Sequence, residues 1–237
     1  MFNVITPLAR YGNVPELINN LKHQKITWIV ITDDDNDTPF EVSESFIEHY
    51  ICPNKDVDFW ARCNYSINWF IENQHIHDDE YYCILNDDDS YDDTFFESLR
   101  REVEKTNTKI YPNDLIITSM KRGHFIPDGL HPSRRHPPYT LYAVPEKMHP
   151  CGVGVEQFFI KGKHLKNHRL PLTVHGDGEL ITELVRNYKT LYLPDLYVLF
   201  NYLEPGRWIK YSGDISTLTS LAQAQQDLFA LLLNFQL

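Results

Sequence analysis

The chain opens with a strand, a helix and a second strand within about thirty residues, and this unit restricts the fold more than any other feature. Phe2–Thr6 favours β-structure and ends at Pro7. Val14–Gln24 carries apolar residues at helical spacing, and Ile26–Thr32 is a nearly continuous apolar run, typical of a strand covered on both faces. Strands joined in this way lie parallel with a right-handed crossover, so the sequence predicts an α/β fold with a parallel sheet.

The same alternation continues along the chain. It predicts strands at Tyr81–Leu85, Leu115–Ser119, Val153–Ile160 and Leu191–Phe200, and helices at Phe59–Asn73, Thr94–Lys105, Gly178–Asn187 and Thr217–Leu233. Residues 121–150 hold six of the fourteen prolines and show little periodicity, which indicates an irregular part of the same domain. We therefore predict one domain over residues 1–237, with a mixed, mostly parallel, Rossmann-like sheet flanked by helices.

Charge and cysteine usage narrow the class of protein. Lys and Arg number 22 against 33 Asp and Glu, and the resulting net charge of −11 argues against general nucleic-acid binding and against docking on anionic lipid. Four widely spaced cysteines form no C-x-x-C pair, which indicates reduced thiols rather than a disulfide framework. No apolar stretch approaches the roughly 18–20 residues that span a bilayer, so we expect no membrane insertion.

Two predicted strands end in runs of acidic residues. Asp33-Asp34-Asp35 follows the second strand, and Asp87, Asp88 and Asp89 follow a later one after Asn86. Open α/β sheets bind ligands beyond the carboxyl ends of their strands. We therefore expect a single site formed by three loops, Pro7–Gly12, Asp33–Pro39 and Asn86–Asp93.

A hard divalent cation, Mn²⁺ or Mg²⁺, would explain so much negative charge at one place, because like charges repel and such ions prefer oxygen ligands. Asp87 and Asp89 have D-x-D spacing, so one carboxylate can reach a metal while another reaches a ribose. The alternative is a solvated loop whose acids, Asp92 or Asp93, cap the next helix. That alternative leaves three acids against a buried strand unexplained.

These motifs resemble nucleotide-sugar glycosyltransferases of the GT-A fold, and most of all the glucuronyltransferases that extend proteoglycan linkers. Thr6-Pro7-Leu8-Ala9-Arg10 is similar to their opening "TP..AR", although this loop is a residue shorter. "VITDDDNDTP" is similar to their "W.V.ED....TP", and "DDDSY" to their acidic metal motif. The likeness covers roughly the first hundred residues well and the remainder thinly.

The resemblance implies a donor pocket in the first half of the chain. Asp33 and Asp35 would meet the base and ribose of the donor nucleotide, and Pro7 and Arg10 would line the same pocket.

Further roles follow from the same likeness. Arg62 and Asn64 would pack against donor phosphate or sugar, with a surface ion pair as the alternative for Arg62. Asp87 and Asp88 would contact ribose and sugar. Asp89, together with Asp87, would hold the metal.

A catalytic base is expected near the helix that begins after "VHGD". Inverting transfer needs a carboxylate that takes the proton of the acceptor hydroxyl. Asp177 matches the family's acid at a helix N-terminus, and Glu179 is the reserve; the alternative for Asp177 is a helix cap. The family's late-strand His is missing, so either the metal has fewer protein ligands or a cation such as Arg207 or Lys210 holds the phosphates instead.

Two other patterns in the sequence are typical of different sites, a zinc site and a dinucleotide-binding loop. His75 and His77, or His164 and His168, have zinc-ligand spacing, but "KGKHLKNHR" is more typical of an exposed basic helix. Gly152 and Gly154 lack the third glycine of a dinucleotide loop.

The segment Lys121–His136 carries four basic residues against one acid, which favours an anionic acceptor: a glycan, a polymer or a modified DNA base. The alternative is a loop whose arginines pair with the protein's own acids. The final helix has a leucine stripe that packs on its own core or, as a second choice, forms an oligomer contact.

Together these features predict a metal-dependent, inverting glycosyltransferase with a uridine-diphosphate sugar donor, acting in the cytoplasm of a bacterium or a virus-infected cell. Residues 1–119 would form the donor half, 120–214 the acceptor and catalytic half, and 215–237 the closing helix. The alternatives are a nucleotidyl- or pyrophosphate-cleaving enzyme and a non-catalytic nucleotide-sugar binding module.

Overall fold

The computed structural model describes residues 1–34, 40–53, 55, 57, 59–107, 113–122, 139–149, 153–173 and 176–200. Within these ranges the chain forms nine strands and five α-helices. The strands are β1 (Phe2–Pro7), β2 (Thr27–Asp33), β3 (Ile47–Cys52), β4 (Tyr81–Ile84), β5 (Ser90–Tyr91), β6 (Leu115–Arg122), β7 (Tyr139–Leu141), β8 (Phe158–Lys161) and β9 (Thr190–Phe200). The helices are α1 (Val14–Leu21), α2 (Phe59–Asn73), α3 (Phe95–Asn107), α4 (Gly162–Leu165) and α5 (Gly176–Asn187).

All nine strands belong to one mixed sheet, in the order β3-β2-β1-β4-β8-β6-β9-β5, with β7 paired to β6. The first four strands of this order run parallel to one another. β8 is antiparallel to both β4 and β6, and β9 is parallel to β6. The prediction of an α/β fold with a mixed sheet flanked by helices is therefore confirmed at that level.

The sheet curls because β4 and β5 are close in the chain but far apart in the strand order. Residues 85–89 alone connect them, whereas β8, β6 and β9 lie between them in the sheet. Four strand spacings would amount to about 19 Å if the sheet were flat. The connection also contains a turn, in which Asp89 N donates to Asn86 O at 3.1 Å, so the far edge must bend back toward β4.

Helices cover both faces of the sheet, as alternation along the strands dictates. Val4 packs in a cluster with Leu17 of α1 and Phe96 of α3. Its neighbour Ile5 points to the opposite cluster, where α2 and α5 contribute their apolar residues. Near-continuous apolar strands thus reflect burial on both sides.

Some predicted elements differ from the structure. Val153–Ile160 is not one strand: Val155–Gln157 forms a 3₁₀ helix, because the Gln157 side chain accepts from Gly154 N and donates to Thr118 O. β3, β5 and β7 were missed. The predicted helix Thr217–Leu233 lies outside the described residues, as do Arg207 and Lys210.

No helix in the described part of the chain is both long enough and apolar enough to cross a bilayer.

Candidate functional site

The site lies where β1 and β4 end side by side. The chain leaves β1 toward β2 and β3 on one side, whereas β4 pairs with β1 on the other. Such a change of direction opens a crevice beyond the strand ends, and ligands of open α/β sheets bind there. A small open cleft occupies this edge beside β1 and β2, lined by Pro7, Leu8, Ala9, Ile31, Asp33, Arg62, Cys63 and Ser66.

Asp87 joins the loops that follow β4 and β1. Its Oδ2 accepts the backbone N–H groups of Ala9 at 2.7 Å and Arg10 at 2.5 Å. Its Oδ1 pairs with the Arg10 guanidinium, and Asn13 Nδ2 donates to its backbone carbonyl at 2.9 Å. Both carboxylate oxygens are therefore engaged by the loop after β1, so Asp87 anchors the two loops to each other.

The three consecutive acids are buried. Asp87 is 2% exposed, Asp88 is 6% exposed and Asp89 is fully buried. The interpretation of these three acids as a solvated loop is therefore wrong. It holds for Asp92, which is exposed and whose carboxylate accepts a hydrogen bond from Thr94 N at 3.1 Å, just before α3.

A guanidinium partly offsets this charge, because Arg10 Nη1 lies 3.3 Å from Asp88 Oδ1 as well as against Asp87. Burial nevertheless raises the pKa of Asp88 to about 6; Arg10 opposes this shift and Asp87 adds to it. The carboxyl group of Asp88 thus lies in a region where additional positive charge would be strongly favourable.

Asp33 and Arg62 form one wall of the cleft. Arg62 Nε lies 2.9 Å from Asp33 Oδ2, and both side chains remain partly exposed. The predicted alternative of an ion pair is thus what the structure shows for Arg62, but the pair lines the cleft rather than an open surface. Pro7 also lines the cleft, as predicted. Asp35 lies outside the described residues.

Asn64 faces another part of the molecule. Its Nδ2 donates to the carbonyls of Pro171 at 2.8 Å and Thr173 at 3.3 Å, in the segment that precedes α5. The structure therefore gives Asn64 contacts with the chain itself, whereas the resemblance predicted contacts with donor phosphate or sugar.

Asp177 and Glu179 both lie in the first turn of α5, which begins at Gly176, two residues earlier than predicted. Asp177 is half-buried, and its Oδ1 accepts the N–H of Gly178 at 2.7 Å. Glu179 is exposed. The segment before α5 is bound to Asn64, which lies two residues along α2 from Arg62, a residue of the cleft wall.

Glu156 is a buried acid that the sequence analysis missed. It is 2% exposed, and its carboxylate accepts from the side chain of Asn86, the residue before the three acids. A single glutamate within the apolar stretch "GVGVEQFF" is the signal that would have identified it.

The histidines with zinc-ligand spacing make other contacts. His164 lies 3.0 Å from Asp114 and stacks on Tyr188, whose hydroxyl is 2.7 Å from His168. The predicted exposed basic helix is wrong in extent, because α4 ends at Leu165 and His168 contacts Glu183 of α5 and Tyr188 just after it. Among the residues that the structure describes, no three His, Cys, Asp or Glu side chains are grouped to hold a metal ion by themselves.

Of the predicted acceptor segment, only Lys121 and Arg122 are described. Lys121 Nζ lies 4.4 Å from the ring centroid of Tyr197. Gly154 is the residue just before the 3₁₀ helix Val155–Gln157, and Gly152 is outside the described residues.

Neither a protein-family model nor a curated protein matches the chain. The fold and the site themselves define the class: this is an α/β protein with buried carboxylates and a cleft at the carboxyl edge of its parallel strands.

Proposed function

We propose that the protein is a metal-dependent glycosyltransferase of GT-A-like architecture that takes its sugar from a nucleoside-diphosphate donor, with uridine as the expected base. One observation carries this proposal: Asp87 binds the loop after β1, so the buried acids adjoin the cleft at the crevice where β1 and β4 end. That location and that charge suit a nucleotide whose diphosphate reaches the acids through a cation.

The donor set fits a hard divalent cation of this kind. Asp88 and Asp89 offer buried carboxylate oxygens, and Mn²⁺ and Mg²⁺ accept one or two such ligands together with phosphate oxygens and water. Asp89 would be the ligand and Asp88 its neighbour, whereas the oxygens of Asp87 are already bonded to the loop after β1. When bound, the cation would neutralise the charge that develops on the leaving diphosphate.

The residues of the chain would divide the remaining tasks. The cleft between Pro7, Ile31 and Cys63 would receive the nucleoside, and Asp33 would accept hydrogen bonds from it while Arg62 holds the carboxylate in place. Asp177 would take the proton of the acceptor hydroxyl as that oxygen attacks the anomeric carbon, which inverts its configuration. Arg10 would keep the acids together before the donor arrives.

Two other functions use the same acids. A nucleotidyl- or pyrophosphate-cleaving enzyme would release a nucleoside monophosphate or pyrophosphate, whereas the transferase releases a nucleoside diphosphate. If the protein is a non-catalytic binding module, Asp177→Asn would leave its function unchanged.

The acceptor, an anionic glycan, a polymer or a modified DNA base, would be identified from the product of transfer.

Calorimetric titration tests the donor site directly. The purified protein would be titrated with a panel of nucleoside diphosphates and nucleotide sugars, with and without Mn²⁺. We expect one nucleotide to bind in a metal-dependent manner and Asp89→Asn to abolish that binding.

The matched control is Asp93→Asn, which removes an exposed acid four residues away and should leave binding unchanged. Folded protein that binds no member of the panel, or an Asp89→Asn variant that binds as well as the natural chain, would refute the proposal.

A further inference from the structure

Two asparagines on α2, one helical turn apart, hold the segment that leads into α5. Asn64 Nδ2 donates to Pro171 O and Thr173 O at 2.8 and 3.3 Å. Asn68 Nδ2 donates to Leu170 O at 2.8 Å, and Leu170 N donates back to Asn68 Oδ1 at the same distance. Four hydrogen bonds thus fasten residues 170–173 to a single face of α2.

The first residue of α5 sits directly on this contact. A Cβ atom at Gly176 would lie 2.0 Å from Pro171 O and 2.8 Å from Asn64 Nδ2, so only a glycine lets the helix start this close. The amide of Asn64 therefore donates to the carbonyl of Pro171 and occupies the space that a side chain at Gly176 would need. Since Asp177 is the next residue, its place depends on where Asn64 holds that carbonyl.

The same turn of α2 also forms the wall of the cleft. Arg62, Cys63 and Ser66 line the cleft, and Arg62 pairs with Asp33 at the end of β2. Asn64 lies between these residues in the chain but directs its amide to the start of α5. A displacement of α2 at the cleft would thus be passed to the start of α5 through the bonds of Asn64 and Asn68, and of these two residues Asn64 lies beside Gly176.

We propose that Asn64 is a positioning residue that sets the Asp177 carboxylate relative to the donor cleft and transmits occupancy of that cleft to the start of α5. The chemical meaning of this coupling rests on the proposed function, in which Asp177 receives a proton. Asn64 acts through Pro171 and Gly176, and Asn68 supports the same segment one turn farther along α2.

The amide of Gly178 reports on this arrangement because it donates to Asp177 Oδ1 at 2.7 Å. Its NMR cross-peak and its hydrogen-exchange rate would be followed in the ligand-free protein and during titration with UDP–Mg²⁺. The variants are Asn64→Ala, the amide-retaining Asn64→Gln, and Asn68→Ala as the matched control, since it also removes two hydrogen bonds to the same segment.

In ligand-free protein we expect Asn64→Ala to shift the Gly178 cross-peak and to speed exchange about tenfold, the factor that loss of one ordinary hydrogen bond produces. Asn68→Ala should lower the melting temperature about as much as Asn64→Ala does, yet leave the cross-peak and exchange rate of Gly178 nearly unchanged. Asn64→Gln should restore part of the Gly178 shift and protection that Asn64→Ala removes. UDP–Mg²⁺ should shift Gly178 in the natural chain but not in Asn64→Ala, with affinity unchanged within about threefold.

Equal effects of Asn64→Ala and Asn68→Ala on Gly178, or none from either, would overturn the inference. So would nucleotide binding that never reaches Gly178 in the natural chain. If UDP–Mg²⁺ does not bind at all, the transmitting role falls with the donor proposal, while the ligand-free variants still decide whether Asn64 positions Asp177.

Discussion

Arg10 and Asp87 lie 77 residues apart in the chain and are joined through both the backbone and the side chain of the arginine. One carboxylate oxygen accepts the Arg10 N–H, and the other pairs with the guanidinium, which also approaches Asp88. Both side chains are at least nine-tenths buried. The loops after β1 and β4 are therefore held together by charge in a place that water scarcely reaches.

Arg10→Gln should destabilise the protein strongly, because it leaves two buried carboxylates without their guanidinium. Removing one partner of a buried ion pair lowers the free energy of unfolding by about 3–5 kcal/mol, which urea denaturation would measure. Arg101→Gln is the control, since that arginine pairs with Glu97 on an open helix surface and its loss should change the free energy by less than about 1 kcal/mol. Similar losses in the two variants would contradict the role of the buried pair.

Asp88 should make metal-free protein less stable as the pH rises from about 4 to about 6. Burial raises its pKa from 3.8 to about 6, so in this range the folded state keeps a proton that the unfolded chain releases. The folded state then binds more protons, and the free energy of unfolding falls with increasing pH by a total on the order of 3 kcal/mol.

Denaturation across this pH range in the presence of EDTA would measure that slope, and Asp88→Asn should flatten it. A natural chain and an Asp88→Asn variant with parallel pH profiles would argue against a buried, proton-retaining carboxyl group.

Cys63 should resist alkylation although it lines the cleft. Burial raises the pKa of its thiol to about 12; Asp87, Asp88 and Asp33 add to the increase and Arg10 opposes it. A rise from 9.0 lowers the thiolate fraction at pH 8 about a thousandfold, and the thiolate is the reactive form. Labelling with iodoacetamide, mapped by mass spectrometry, should be slow in native protein and fast in urea. Rapid labelling of native protein at pH 8 would contradict this environment.

Gly176→Ala should be costly and Gly12→Ala should not. A methyl group at Gly176 would meet Pro171 O at 2.0 Å, whereas nothing lies within 4 Å of the same position at Gly12. Overpacking costs about 1–3 kcal/mol or more, so thermal denaturation should show a clear loss for Gly176→Ala and almost none for Gly12→Ala. If both variants melt like the natural chain, α5 does not start as close to Pro171 as described.

Much of the fold could be predicted because its buried strands leave strong local signals. β1, β2 and β4 are largely apolar runs that stop at Pro7, at Asp33 and just before Asn86, and α2 was predicted with its observed bounds. β3 escaped detection because it is an edge strand whose residues are largely exposed, and β5 because two residues give no periodicity. β3 is defined by its pairing with β2, and β5 by its pairing with β9 more than a hundred residues later; neither pairing is visible in a local pattern.

The sequence predicted that the loops after β1 and β4 meet, but not the contacts that join them. Strand ends predicted that the loops at Pro7 and Asp87 would meet. The sequence did not predict that Asp87 binds backbone N–H groups or that Asn64 faces α5. These contacts depend on where distant segments of the chain cross, as where Asn64 contacts Pro171. Glu156 stands out in the sequence as a single acid in an apolar run, but its contact with Asn86, 70 residues away, has no local signal.

The curl of the sheet has a consequence for the order in which the site forms. The acids follow β4, but Ser90 and Tyr91 of β5 pair with Leu199 and Val198 of β9, more than a hundred residues later. Contacts between such distant segments form slowly, because a long loop must close first. A growing chain would therefore carry Asp87–Asp89 for about a hundred further residues before β5, which directly follows these acids, finds its partner strand β9.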